Sequence, residues 1–339
     1  MSMFTPRHAL ITGGAGFIGS HFIRLWQTMR PEIRLIILDK LTYSGSLKRL
    51  QELPAFGQMV FVQGDVCNQE LVSHLLRSHQ VDTIIHFAAE THVDRSISGA
   101  APFIHTNIVG TFSLLEAARR YWLEEERWGV AECRFHQIST DEVYGSLGPT
   151  DSPFTETTSY HPNSPYSASK ASADHLAWSY YYTHGLPVTF SHCSNNYGPG
   201  QQQEAFIPTV IRSCLNRQMI PIYGNGGNQR DWLYVEDHCL GVDGVIRLGL
   251  SGERYNFGGG MDASNLEIAR QICAIMDRLR PFAKPHEELI GFVADRPGHD
   301  WRYAIHSGKA RAELAWQPRM DFPEGLERTV AWYLENQER

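Results

Sequence analysis

The chain has 339 residues, 42% of them hydrophobic and 20% charged, with a formal net charge of -7 and a pI near 6.1. That length admits two domains, or one large domain with a smaller lobe, and the acidic balance argues against a nucleic-acid partner, which calls for a basic patch or stripe. No apolar run reaches the roughly 18 residues of a membrane-spanning helix, and the N-terminus lacks a signal-peptide pattern, so a cytoplasmic protein with no membrane partner is expected.

Six cysteines (Cys67, Cys133, Cys193, Cys214, Cys239, Cys273) stand singly with no Cys-x-x-Cys pair. Buried, reduced and inert thiols are expected, neither a disulfide framework nor a thiolate zinc site. The histidines show no ligand spacing; His86, His92 and His136 read as structural, and no metal is expected.

Taken in order, residues 8–12 are a short apolar run followed by Gly13-Gly14-Ala15-Gly16-Phe17-Ile18-Gly19 and a helical pattern to about Met29. Glycines at 13, 16 and 19 between strand and helix suit a tight turn, close approach of backbone to a pyrophosphate, and close packing of helix on strand. Backbone N–H groups at the helix start then bind phosphate. A second strand, Arg34 to Leu38, ends in Asp39, 20 residues after Gly19. A carboxylate there accepts from both adenosine ribose hydroxyls and repels a 2′-phosphate, which favours NAD over NADP. A third strand, Val60 to Val62, leads into Gly64-Asp65-Val66, with Asp65 placed toward the adenine. A fourth, Thr83 to Phe87, runs into Ala88-Ala89, small residues that let the chain pass close to a cofactor. The competing reading of Asp39 and Asp65 is that each only caps the following segment.

From about Pro102 to Tyr121, Ile104, Ile108, Phe112, Leu115 and Ala118 recur at helical spacing, with Asn107 inside as a buried amide suited to brace neighbouring loops. The strand Arg134 to Ile138 then opens into Ser139-Thr140-Asp141-Glu142-Val143-Tyr144-Gly145. Hydroxyls and carboxyls gather there at the carboxyl end of a buried strand, where open α/β sheets hold ligands. A proline-punctuated loop leads to a helix opened by Tyr166 and running to about His184. Lys170, four residues on, shares the Tyr166 face; an ammonium beside a phenol favours the phenolate, a usable base. Tyr-x-x-x-Lys alone also arises by chance. Pro187 to His192 is the next strand.

This alternation predicts an α/β fold: a doubly wound, mostly parallel Rossmann-type sheet with a smaller C-terminal substrate-binding lobe. Residues 1–195 form the dinucleotide domain with the catalytic cluster, and 196–339 mainly the lobe, with some segments returning to the first domain. Beyond residue 200, short helices and loops are expected, with polar clusters in irregular segments: Pro221 to Gly224, Gln229 to Trp232 and Ala294 to Asp300. Arg230 and Arg296, in separate loops, suit a diphosphate; two solvated surface arginines are the alternative.

These motifs, with Asp39-Lys40-Leu41-Thr42-Tyr43, His86 to Asp94, Ser164 to Lys170, Ser194 to Pro199, Arg230 to His238 and Asp295 to Asp300, resemble the extended short-chain dehydrogenase/reductases. Within them they resemble the dTDP-glucose 4,6-dehydratases over nearly the whole chain. The Thr-Asp-Glu triplet discriminates, because sugar epimerases of this fold usually lack the acid pair. The resemblance implies oxidation of a nucleotide hexose at C4 by NAD, loss of water across C5 and C6, and return of hydride to C6. It implies Tyr166 as base, Lys170 on the nicotinamide ribose, Thr140 on O4, Glu142 taking the C5 proton and protonated Asp141 donating to the departing hydroxyl. It places NAD against Gly13, Gly16, Phe17, Ile18, Gly19, Asp39, Lys40, Thr42, Asp65, Val66, Ala88, Ala89, Tyr166 and Lys170. The nucleotide sugar falls to His92, Asn196, Glu204, Phe206, Pro221, Tyr223, Arg230, Asn265, Arg296, His299 and Tyr303. Ala205 stands where the family has lysine, a departure bearing on the nucleotide more than on the chemistry.

Competing readings are a UDP-sugar 4-epimerase or decarboxylase on the same scaffold, the same dehydration on another nucleotide sugar, and a regulatory dinucleotide binder with a decayed site. The helices near 102–121 and 166–184 carry apolar and aromatic residues, including Trp178, Tyr180, Tyr181 and Tyr182, beyond what one sheet face needs. Members of the resembled family pair such helices in a four-helix bundle, so a homodimer is expected.

Overall fold

Short apolar runs in the first 140 residues become neighbouring strands. In the computed structural model, which describes residues 3–336, they are β1 (His8–Thr12), β2 (Arg34–Asp39), β3 (Val60–Gln63), β4 (Thr83–His86) and β5 (Arg134–Thr140). Further along come β6 (Val188–Cys193), β7 (Asn195–Tyr197), β8 (Ile220–Tyr223), β9 (Gln229–Tyr234), β10 (Arg254–Phe257), β11 (Asp262–Ser264) and β12 (Ile290–Val293). Seven of them build one sheet in the order β10-β6-β5-β4-β1-β2-β3, with every neighbouring pair parallel. Strand order reverses beside β1, which opens a crevice at the carboxyl ends of the strands.

Successive strand residues point to opposite faces, and two apolar layers result. Leu10, Ile36, Ile84 and Phe135 meet Val72, Leu114, Trp122 and Ala177 of the helices Gln69–Ser78, Thr111–Ala118 and Pro165–His184 and of the turn that follows the second. Ile11, Ile37 and Ile85 meet Phe22, Trp26, Val242 and Ile246 of Phe17–Met29 and Val235–Leu248. Burial on both faces explains the near-continuous apolar runs.

The lobe holds a sheet β11-β9-β7 and a parallel pair β12-β8, packed with the helices Phe206–Asn216, Asn265–Leu279 and Phe322–Glu335 around Ile211, Trp232, Ile272 and Leu326. Two segments expected to be irregular are strands: Pro221 to Tyr223 lies in β8, and Gln229 to Trp232 in β9. In β9 the polar side chains masked the strand pattern, because Arg230 donates to Asp300 O and Asp231 accepts from Met261 N, both distant in sequence. β10 also comes from the second half and completes the edge of the main sheet against β6.

The helix expected near 102–121 spans residues 101–125 as one rod, α-helical over Ala101–Phe103 and Thr111–Ala118 and widened to π turns over Ile104–Gly110 and Arg119–Glu125. Asn107, in the first π segment, accepts from Glu90 N at 2.8 Å, and its Nδ2 donates to Glu90 O at 3.0 Å and Ser169 Oγ at 2.8 Å. Among the described residues no helix is long and apolar enough to cross a membrane. Of the cysteines, all free, five are buried and Cys67 is half-buried.

Candidate active site

Where β1 ends, the chain turns at Gly13 with φ at +68, a conformation open to glycine at little cost. A Cβ there would lie 2.6 Å from the Ala88 nitrogen, and one at Gly19 would lie 2.5 Å from the Gly13 oxygen. The carboxylate of Asp39, buried at the end of β2, accepts from Ala15 N at 2.9 Å and Leu41 N at 2.8 Å, which ties the glycine loop to β2. Burial pushes that carboxyl above the ordinary value against the pull of the two N–H groups. Asp65 accepts from Lys40 Nζ at 2.7 Å and Cys67 N at 2.9 Å. Both carboxylates therefore cap the segments after them and also face the crevice.

That crevice is a cleft of about 280 Å³. From the first four strands it is lined by Gly13, Gly16, Phe17, Ile18, Gly19, Asp39, Lys40, Thr42, Asp65, Val66, Ala88 and Ala89, and from β5 onward by Thr140, Asp141, Glu142, Tyr166, Lys170 and Asn196. A backbone cradle that any side chain at 13 or 19 would fill, closed by a carboxylate at 39, fits a dinucleotide with free ribose hydroxyls.

β5 continues two residues past Ile138, so Ser139 and Thr140 still pair with His192 and Cys193. A 3₁₀ turn, Asp141–Tyr144, follows, capped by Thr140 Oγ1 accepting from Glu142 N at 3.3 Å. Asp141 is 1% exposed and its Oδ2 has no hydrogen-bond partner among the described residues. Burial, then the charges of Glu142 and Asp231, hold its carboxyl well above the usual range. Glu142 is pushed up to about 7 by burial, with Arg230 and Arg296 restraining the rise and Asp300 adding to it. Both carboxyls are thus held above the usual range, Asp141 with its neighbour's charge pushing it further and Glu142 with two guanidinium groups restraining it, a difference of setting that acid–base chemistry uses.

Tyr166 lies in the first turn of Pro165–His184, a helix fixed by a capping box between Ser164 and Ser167. Burial, then the charges of Glu142 and Cys193, hold its phenol well above the ordinary value, and a hydrogen bond from Thr140 pulls it down. Lys170 Nζ donates to Ile138 O at 2.6 Å.

Of the residues expected on the sugar nucleotide, Asn196 lines this cleft and Glu204 a second one; the charges of Arg230 and Arg296 reach Glu142, whose own charge reaches Tyr303. Arg230, buried in β9, donates to Gln229 O at 2.7 Å and Asp300 O at 3.0 Å, with its guanidinium 4.3 Å from the centre of the Tyr303 ring. Arg296 reaches Asp94 at 3.5 Å, and its Nε is buried with no partner among the described residues. His299 bonds Asp295 at 2.6 Å and sits edge-on to Tyr223, whose strand also holds Pro221. Asn265 opens its helix by donating from N to Asn228 O at 3.1 Å. Phe206 packs near Trp232, Glu204 pairs with Arg95 at 3.5 Å, and His92 Nδ1 accepts from Arg95 N at 3.4 Å. Asn196 is held by His238 Nδ1 at 2.9 Å and by its own donation to Ser194 O at 3.0 Å. The other two histidines read as structural are bonded through both ring nitrogens: His86 to Thr12 and Thr111, His136 to Thr189 and Ser191. Sequence reasoning passed over Asp231, a buried carboxyl pushed up to about 7 by burial, because nothing local distinguishes it from a surface aspartate.

Residues 10–329 match the family described as GDP-mannose 4,6 dehydratase. A dTDP-glucose 4,6-dehydratase of Xanthomonas campestris pv. campestris is 49% identical over 330 residues, covering 97% of this chain and 93% of that protein. Among solved structures, the dTDP-glucose 4,6-dehydratase of Streptomyces venezuelae, with NAD bound, superposes with a TM-score of 0.88 at 42% identity, covering 98% of both chains. That of Bacillus anthracis, in complex with NAD, gives 0.86 at 42% identity and the same coverage.

Proposed function

Because the chain belongs to the GDP-mannose 4,6 dehydratase family, we propose that it is an NAD-dependent dTDP-glucose 4,6-dehydratase, a hydro-lyase that forms the 4-keto-6-deoxy sugar. The observation that carries this reading is the carboxyl pair Asp141 and Glu142 lining one cleft with Thr140, Tyr166 and Lys170, both carboxyls pushed up by burial. A C4 epimerisation needs no such pair beside its base.

The glycine loop, Asp39, Lys40, Thr42, Asp65, Val66, Ala88 and Ala89 would hold NAD, with Lys170 at its nicotinamide ribose. Bound there, NAD supplies a hydride acceptor for C4 and later a hydride for C6. Tyr166 takes the C4 hydroxyl proton, with Thr140 positioned on O4 and the buried Lys170 ammonium favouring the phenolate. A ketone at C4 acidifies C5–H. Glu142, its carboxyl pushed up to about 7, removes that proton in its ionised form, and Asp141 gives its proton to the leaving C6 hydroxyl, so one water departs. Return of the proton to C5 and hydride to C6 completes an internal redox balance. Arg230 and Arg296 would take the diphosphate; the unpartnered Nε of Arg296 is a donor suited to an anion.

Incubation with dTDP-glucose followed by alkali should develop the absorbance of a 4-keto sugar. Absence of that signal with the dTDP-, UDP-, GDP- and CDP-glucoses alike would sink the assignment.

We also infer a homodimer in the cytoplasm. Ile104, Phe112, Trp178 and Tyr182 are 52%, 43%, 38% and 75% exposed, with Trp178 stacked on Tyr182. They lie on two helices that pack together, and a strip of that kind marks an interface.

A further inference from the structure

Tyr166, Lys170 and Asp174 follow one another at four-residue intervals on the helix Pro165–His184, and all three are buried. At that spacing they share a face. Asp174 is fully buried, and three groups converge on its Oδ2: Ser139 Oγ donates at 2.6 Å, Tyr160 OH donates at 3.0 Å, and His192 Nε2 stands at 3.1 Å. The same His192 nitrogen lies 2.7 Å from the Tyr160 oxygen. Nδ1 of His192 and Oδ1 of Asp174 are buried with no hydrogen-bond partner among the described residues. An imidazole nitrogen without an acceptor is the one left unprotonated, which puts the ring proton on Nε2, facing Asp174 and Tyr160.

A lysine buried alone gives up its proton. Burial pushes Lys170 down, and the charge of Asp174 leads the groups that push it back up. Burial in turn works to raise Asp174, but the hydrogen bond of His192 leads the groups that hold it below the usual carboxylate range, with the Lys170 charge and the Ser139 hydrogen bond among them. Cys193 on β6 and His86 on β4 also face Lys170, and Tyr144, Arg254 and His175 stand around Asp174 and Tyr160. Around Lys170, Asp174 is the carboxylate among these groups.

We propose that Asp174 is a positioning residue that keeps Lys170 charged beside Tyr166, its carboxylate fixed by Ser139, Tyr160 and His192. Because Ser139 precedes Thr140 on β5, the same carboxylate also ties the strand end bearing Thr140, Asp141 and Glu142 to the helix bearing Tyr166 and Lys170. The role given to Tyr166 rests on the reaction proposed above; the charge relation of Asp174 to Lys170 does not.

The chain has only five lysines (Lys40, Lys48, Lys170, Lys284 and Lys309), so ε-carbon-13 lysine labelling of the full-length protein yields few signals, and Lys170→Arg assigns the one of interest. In Asp174→Asn the Lys170 midpoint is expected to fall by about 1 in pH or more, and the alkaline limb of kcat/KM with dTDP-glucose to fall with it. Tyr160→Phe removes one donor to Asp174 but leaves the charge, so its midpoint should stay within a few tenths of the wild type's. An unchanged midpoint in Asp174→Asn overturns the proposal, as does an equal shift in Tyr160→Phe. If Asp174→Asn does not fold, Asp174→Glu decides: the retained charge keeps the midpoint, and a fall as large as that expected for asparagine overturns the idea. A wild-type protein that fails to turn over dTDP-glucose refutes the proposed reaction and leaves the lysine titration as the test of this relation.

Discussion

Replacing Glu142 by glutamine should damage turnover and stabilise the protein at the same time. The carboxyl is raised from 4.5 to about 7 by burial, so the folded state holds that proton more tightly than the unfolded chain does. Its contribution to stability is therefore greatest below pH 4.5 and is lost as pH rises from 4.5 through 7. The difference, at about 1.4 kcal/mol per pH unit, comes to about 3 kcal/mol above pH 7. Glutamine carries no charge to desolvate and escapes that penalty. With an unfolding entropy of about 2.1 cal/mol/K per residue, the gain over a chain of 339 residues corresponds to about 4 °C in Tm at pH 8, narrowing as pH falls toward 4.5. Loss of a general base lowers turnover by about 10²–10⁴. Oxidation at C4 should survive, because Glu142 is the foremost charge opposing ionisation of Tyr166. The assay is a stopped-flow record of reduced nicotinamide absorbance with dTDP-glucose, beside differential scanning calorimetry at pH 5.5 and 8. Full turnover in the variant, or an unchanged Tm at pH 8, refutes the reasoning.

Gly13→Ala should abolish NAD binding by calorimetric titration and lower Tm, since its Cβ would meet Ala88 backbone at 2.6 Å with φ at +68; unaltered affinity would mean that the loop does not hold the dinucleotide. Phe112→Glu, at a position 43% exposed, should yield monomers by light scattering, and a persistent dimer would move the interface elsewhere. Ala205→Lys should tighten dTDP binding about fivefold, the worth of about 1 kcal/mol for a partly exposed charge contact; no change would show that this position does not reach the phosphates.

The glycine loop, Asp39 and the Thr140–Glu142 cluster were legible because each sits at a strand end, and in a doubly wound sheet strand ends converge wherever the chain places them. Asn107 could be singled out as an amide among helical apolar positions, and its bonds to Glu90 and Ser169 bear that out. Arg230 could be named but not placed. It lies in a strand whose partners β7 and β11 are short and polar, and its stacking on Tyr303 joins residues 73 positions apart. The difference between Asp141 and Glu142 is set by burial and by charges from Asp231, Arg230, Arg296 and Asp300. Such long-range terms leave no local pattern.

The π turn at Ile104–Gly110 gives the long rod a counting rule. Relative to an α-helix, a π turn holds one extra residue, and each residue turns a helix by about 100°. A turn that holds one residue more turns each of them by less, so the extra residue is absorbed where it sits. Deleting one residue between 104 and 110 would close that turn to α geometry and leave the helix beyond, with Phe112 on its outward side, facing as before. Asn107 would lose its aim at Glu90 and Ser169, so the inserted residue serves the inner clamp while the outer face keeps its direction.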